Sequence, residues 1–129
     1  AGTLVVLDPS LERFSLRTDF DRLAQVLINL LGNAIKYGAN SDPEVRVTAR
    51  KRRTELLIDV ADNGPGIPKK AEHRIFEKFA RLSQGSSSGS AGLGLAISRE
   101  IAKNLGGDLV YVRSRTGSIF RISLPLTER

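Results

Sequence analysis

The segment Asp62-Asn63-Gly64-Pro65-Gly66-Ile67 sets one carboxylate at the end of the apolar run Leu56-Leu57-Ile58-Asp59-Val60-Ala61 and then takes the backbone through a tight loop. Asn-Gly and Pro-Gly in succession are turn chemistry, because glycine tolerates positive φ and proline fixes φ without offering an N–H. A carboxylate at such a rim accepts a hydrogen bond from an exocyclic amine, and glycines let a flat ring approach the backbone, a pairing that suits a purine. Upstream, Asn29, Asn33, Lys36 and Tyr37 recur at spacings of four, three and one, so on a helix they share one face. Downstream, Gly92 and Gly94 straddle Leu93 where a Gly/Ser tract turns into a helix, and unpaired N–H groups at a positive helix end can meet a triphosphate. Magnesium-bound triphosphate requires an oxygen ligand for a hard cation, donors for phosphate and a base-reading group, and all three are present. Taken singly, each group also has an ordinary reading: a turn after a strand, a solvated helix face, a hinge.

The elements that must position these residues follow from periodicity. Thr3 to Leu7 reads as a short strand, Asp8-Pro9-Ser10 interrupts it, and Phe14 to Arg17 offers another brief extended piece. Thr18 or Asp19 caps a long amphipathic helix ending near Gly38, with Leu23, Leu27, Leu30, Leu31 and Ala34 facing a core. Glu44 to Ala49 and Glu55 to Ala61 alternate as a hairpin around a basic turn. Lys69 to Phe79 reads as a short helix, and Leu82 to Ala91 as a Gly/Ser tract too poor in apolar groups to pack. Gly92 to Leu105 reads as a helix with Leu93, Ala96, Ile97, Ile101 and Ala102 inward, stopped by Gly106-Gly107. Leu109 to Val112 and Ile119 to Leu124 close the chain as a second hairpin. The sum is a two-layer α/β sandwich, about five strands covered on one face by three helices.

Composition narrows the classes. The 129 residues make one domain, spanning 1–129. The absence of cysteine removes disulfides and thiolate metal sites and points to a reducing, cytoplasmic setting. Neither a membrane span nor a secretion signal is visible; a membrane anchor of a parent protein would lie outside this chain. The net charge of +6 invites a nucleic-acid reading, but much of the excess sits in Arg50-Lys51-Arg52-Arg53, placed as a solvated turn and without interleaved aromatics. No nucleic-acid partner is expected, while a positive field favours an anionic nucleotide.

Set in order, the stretches around Asn29-Asn33-Lys36-Tyr37, Asp62 to Ile67, Phe76-Glu77-Lys78-Phe79 with Arg81, and Gly89 to Ile97 resemble the N, G1, F and G2 boxes of the catalytic ATP-binding domain of bacterial two-component sensor histidine kinases. The resemblance runs from about Val5 to Leu126 and implies the Bergerat fold of the histidine kinases and of the gyrase, mismatch-repair and heat-shock chaperone ATPases. It implies ATP and Mg2+ as cofactors, with Asn33 the metal ligand, Asn29 its helper and Lys36 meeting phosphate. Tyr37 would lie against adenine, Asp62 would read the adenine amine, and Gly64, Gly66 and Ile67 would form the loop of close approach. Gly92, Leu93, Gly94 and Leu95 would line the phosphate side. A flexible lid over about 80–91 would be anchored by Phe76 and Phe79, with Arg81 contacting phosphate. Ser90 and Ala91 depart from the family's usual glycine and small hydroxyl residue, which bears on lid geometry.

In the hydrolysing relatives a glutamate at the place of Asn29 is the general base for water, and asparagine cannot take that proton. The resemblance therefore implies transfer of the terminal phosphoryl group to a histidine on a separate dimerisation domain, with a response regulator downstream. The parent would be a homodimer of a kind that can be anchored in the inner membrane, and this domain a monomer. The single histidine, His73, sits outside any acceptor motif and reads as a solvated residue. Two other readings stay open: an ATP-binding regulatory module without catalysis, and a basic nucleic-acid-binding domain.

Overall fold

A computed structural model describes residues 4–13, 16–37, 43–77, 89–115 and 117–126. Five strands form one mixed sheet: β1 (Leu4–Leu7), β2 (Glu44–Arg52), β3 (Glu55–Asp62), β4 (Asp108–Ser114) and β5 (Gly117–Pro125), in the order β1-β2-β3-β5-β4. β1 runs parallel to β2, and every other pair is antiparallel. Two helices, α1 (Phe20–Tyr37) and α2 (Gly89–Asn104), pack against each other, α1 lying also on β2 and β3 and α2 on β4 and β5.

The register fixes which face the helices cover. Val45, Val47 and Ala49 of β2 share a face with Val60 and Ile58 of β3 and with Phe120, Ile122 and Leu124 of β5, and all of these are buried. Leu23, Val26, Leu30 and Ala34 of α1 and Leu95, Ile101 and Ala102 of α2 close the core from above. Leu27 and Leu31, expected inside, only flank it, while Val26 takes an inner place. The opposite face of the sheet carries the paired side chains of Asp59 and Arg121, joined at 2.8 and 3.0 Å. That bond raises the Arg121 guanidinium above its ordinary value, against the opposing cost of burial.

Several ends follow the local chemistry. Asp19 caps α1 by accepting a hydrogen bond from the Arg22 N–H at 3.2 Å. α2 stops at Gly106, whose φ of 98° lets its N–H reach the Lys103 carbonyl while the Gly107 N–H reaches that of Ala102. Arg50, Lys51 and Arg52, expected in the turn, instead end β2, and Arg53 opens the turn to β3 at a φ of 57°; all four are exposed.

Three sequence expectations are corrected. Lys69–Arg74 is a 3-10 turn, so the described helices number two and not three. Pro68 sets its start, and among the described residues only Ile75 and Phe76 beyond it are apolar anchors, too few for a helical stripe. Pro9–Arg13 is also a 3-10 turn, and Leu16 and Arg17 join no strand. α2 opens at Gly89 instead of Gly92; Ile101 and Ala102 are buried as expected, but Leu95 and Ser98 are buried too, while Ile97 is 42% exposed.

Candidate functional site

Asp62 ends β3 on the face that the helices cover, in register with buried Val45 and Ser118. Its Oδ1 accepts a hydrogen bond from the Gly64 N–H at 2.9 Å, closing the turn that the Asp-x-Gly spacing favours. Burial pushes this carboxyl above its ordinary value, and hydrogen bonds from the Gly64 and Ser118 N–H groups oppose that rise without cancelling it. The result is a half-buried, fixed acceptor at the rim of the sheet.

The loop after it is pinned from three strands. The Asn63 side chain accepts a hydrogen bond from the Glu44 N–H at 2.9 Å, while the Asn63 N–H donates to the Glu44 carbonyl at 3.2 Å. Gly66 takes a φ of 82°, open to glycine at little cost, and packs over Gly117 and the Tyr111 hydroxyl. The Ile67 N–H donates to that hydroxyl at 3.2 Å, and Arg113 donates to the Ile67 carbonyl at 3.4 Å. Arg113 also pairs with Glu72 at 2.6 Å, tying the following 3-10 turn to β4. Beneath the loop, a Cβ on Gly117 would stand 1.9 Å from the Asp62 carbonyl oxygen, so only glycine lets β5 start against this carboxylate.

Phe76 beyond the loop lies edge-on to Phe120, with ring centres 6.3 Å apart, and the Arg99 guanidinium sits 5.1 Å over its ring. Arg99 is held in turn by Asp108 at 3.0 Å. Burial pushes the Asp108 carboxyl up, but hydrogen bonds from Arg99 and the Leu109 N–H, with the charges of Arg99 and Lys103, bring it below its ordinary value. Phe76 is thus packed between β5 and α2; Phe79 and Arg81, like residues 80–88 of the expected lid, lie outside the described residues.

The helix-borne candidates separate into two kinds. Asn29 reaches α2, its Nδ2 donating to the buried Ser98 hydroxyl at 2.9 Å, and its amide lies against Gly94. Asn33, one turn further along α1, is neither sealed nor fully exposed, and its Nδ2 is buried without a hydrogen-bond partner among the described residues. An amide left unspent in this way is available to a ligand. Lys36 and Tyr37 form the last turn of α1, with side chains outside the described ones.

The phosphate-side candidates change place. With α2 opening at Gly89, Gly92 and Gly94 stand inside the helix, where the N–H groups are spent on the helical ladder. The free N–H groups belong to the turn before Gly92. Leu95 is 1% exposed and belongs to the core, so its side chain cannot line a ligand cavity, and the Leu93 side chain lies outside the described ones. Ser98, Tyr111 and Gly117 were not singled out in the sequence. Only the Gly117 signal, a glycine after a turn where a strand begins, was there to be read.

Magnesium fits this donor set in one way. Among the described residues no group of three acidic, histidine or cysteine side chains is placed to hold a metal ion. A hard cation that keeps its waters and is held chiefly by phosphate oxygens needs only one or two protein oxygens, and an amide on α1 suffices. No described helix is long and apolar enough to cross a membrane.

Known proteins share the sequence pattern and the fold. Residues 18–128 match the family described as histidine kinase-, DNA gyrase B-, and HSP90-like ATPases. The sensor protein KdpD of Escherichia coli K12 is 45% identical over 102 residues, which cover 78% of this chain and 11% of KdpD. The solved catalytic domain of the histidine kinase ThkA superposes with a TM-score of 0.78 at 28% identity, over 98% of this chain and 79% of that one. Full-length ShkA, solved in complex with AMPPNP, gives a TM-score of 0.76 at 29% identity, over 99% of this chain and 26% of ShkA. The chain thus spans about a tenth of the length of KdpD.

Proposed function

The chain belongs to the histidine kinase-, DNA gyrase B-, and HSP90-like ATPase family, as a catalytic ATP-binding domain of the sensor histidine kinase type, and from that premise we propose that it binds Mg-ATP and donates the γ-phosphoryl group to a histidine on a separate dimerisation domain. The observation that carries the proposal is the Asp62 carboxylate, half-buried and held by two backbone N–H groups beside a pinned glycine loop. Such an acceptor costs stability unless something uses it, and the exocyclic amine of adenine is a donor of matching shape.

In this reading Asp62 fixes the base, Gly64 and Gly66 admit the ring, and Tyr37 covers it. Asn33 supplies an amide oxygen to Mg2+, Asn29 supports it, and Lys36, with the N–H groups at the start of α2, meets the phosphates. Bound Mg2+ would neutralise charge on the transferring phosphoryl group. The residues of this chain orient the nucleotide and offer no carboxylate at the place of Asn29 to activate water. Positioning then does the catalytic work, and the acceptor comes from elsewhere. His73 is not that acceptor in this reading, and the parent kinase would be a homodimer acting on a response regulator.

Calorimetric titration with Mg-ATP tests the site. Asp62→Ala removes a charge-assisted hydrogen bond and should weaken binding about ten- to a hundredfold with the fold intact. An unchanged dissociation constant would remove the centre of the proposal. Labelled phosphate should then reach histidine only when a histidine-bearing dimerisation domain is added; tight binding without any transfer would favour a regulatory module.

A further inference from the structure

Asn29 is not free to present its amide as it likes. Nδ2 donates to Ser98 Oγ at 2.9 Å, and Ser98 is 3% exposed. One turn earlier on α2, a Cβ built on Gly94 would stand 2.5 Å from Asn29 Oδ1 and 3.1 Å from both Cγ and Nδ2. The two α2 residues, four apart and so on one helix face, therefore take hold of the amide from both sides. Gly94 lies inside α2 with an ordinary helical backbone and no positive φ. Neither conformational freedom nor a free N–H explains glycine there; the space taken by Asn29 does.

We propose that Gly94 and Ser98 are positioning residues that clasp the Asn29 amide, spending its nitrogen on Ser98 and leaving its oxygen over Gly94, so that the amide keeps one orientation on the face of α1 that also carries Asn33. This rests on the nucleotide reading above, and it gives the glycine of the Gly-Leu-Gly-Leu stretch a steric task on α1. It also couples α2 to the helix that carries both asparagines.

A double-mutant cycle on the full chain tests the clasp without nucleotide. Gly94→Ala in an Asn29→Ala background meets no amide and should raise the melting temperature by about 3 °C through helix propensity alone. In the wild-type background the added methyl displaces the amide, and the gain should vanish or reverse. Mg-ATP affinity should fall about tenfold in each single variant and no further in the double, because both remove one amide orientation. Ser98→Ala should cost about three- to tenfold in affinity and move the Asn29 side-chain amide resonances toward those of a solvated amide. Equal melting shifts from Gly94→Ala in both backgrounds, or unmoved Asn29 resonances in Ser98→Ala, would overturn the clasp. A wild-type chain that shows the melting coupling but binds no Mg-ATP would overturn the nucleotide reading instead.

Discussion

The carboxylate loop at the end of β3 and the asparagine clasp between α1 and α2 solve the same problem by opposite means. At the loop, backbone N–H groups of Gly64 and Ser118 hold the Asp62 carboxylate, and the side chains of Tyr111 and Arg113 hold the backbone of Ile67. At the clasp, one side-chain amide is wedged between a missing Cβ and a buried hydroxyl on another helix. The carboxylate therefore depends on the chain path that brings two N–H groups to it, whereas the wedged amide depends on the volume that Gly94 leaves free. The first therefore suits reading a rigid base, and the second suits a group that must follow a helix.

The largest effect that sets the two regions apart is expected at Gly117. Its replacement by alanine drives a methyl to within 1.9 Å of the Asp62 backbone oxygen, and a backbone atom cannot swing aside as the Asn29 amide can beside Gly94. Gly117→Ala should destabilise the domain by about 1–3 kcal/mol, read by thermal or denaturant unfolding, and weaken Mg-ATP binding with it. Gly94→Ala should show loss of affinity with little loss of stability. Similar unfolding penalties for both would erase the distinction between a backbone-held and a wedged site.

A smaller effect isolates the strap over the loop. Tyr111 packs on Phe120 with ring centres 5.5 Å apart, so Tyr111→Phe keeps the packing and removes only the hydroxyl that the Ile67 N–H reaches. A net cost of about 1 kcal/mol in stability is expected. Affinity for ATP should drop a few-fold, without any change in the Asn29 side-chain resonances, since among the described residues no hydrogen bond or ring contact runs directly from Tyr111 to Asn29, Gly94 or Ser98. Crossed effects would mean that the two regions act as one network.

How far each region was legible in the sequence follows from how it is made. Asp62, Gly64 and Gly66 announce themselves because turn chemistry is local, and a strand that ends in Asp-Asn-Gly-Pro-Gly has few ways to continue. The sheet and its two hairpins were legible for the same reason, through alternation and turn residues. The parallel pairing of β1 with β2 was not, since Leu4–Leu7 is joined to it across α1 and carries no signal of its neighbour. Ser98 and the steric task of Gly94 were hidden because they depend on which α2 face meets α1, and apolarity favoured Ile97 over Ser98. A buried serine reads in sequence like any exposed one until its partner, Asn29, is placed.

The smallest expected effect uses proton chemistry, which only one of the two regions has. Asn29, Gly94 and Ser98 do not titrate, while the Asp62 carboxyl is raised by burial despite its two backbone hydrogen bonds. Its folded-state value lies above the unfolded one, so the folded chain holds the proton more tightly. The stability it contributes is complete below the ordinary carboxylate range and is lost as pH rises through the raised value. At neutral pH the ionised group is thus a net cost, and Asp62→Asn, which keeps an oxygen for the Gly64 and Ser118 N–H groups, should melt slightly higher than wild type. That advantage should shrink on acidification through the raised value. ATP affinity follows the opposite sign: it needs the ionised acceptor and should fall as the pH drops through the same range, beginning above the ordinary aspartate value of 3.8. In Asp62→Asn the residual affinity should lose this pH dependence. Wild-type affinity and Asp62→Asn affinity falling in parallel across that range would assign the titration to another group and leave the loop as indifferent to acid as the clasp.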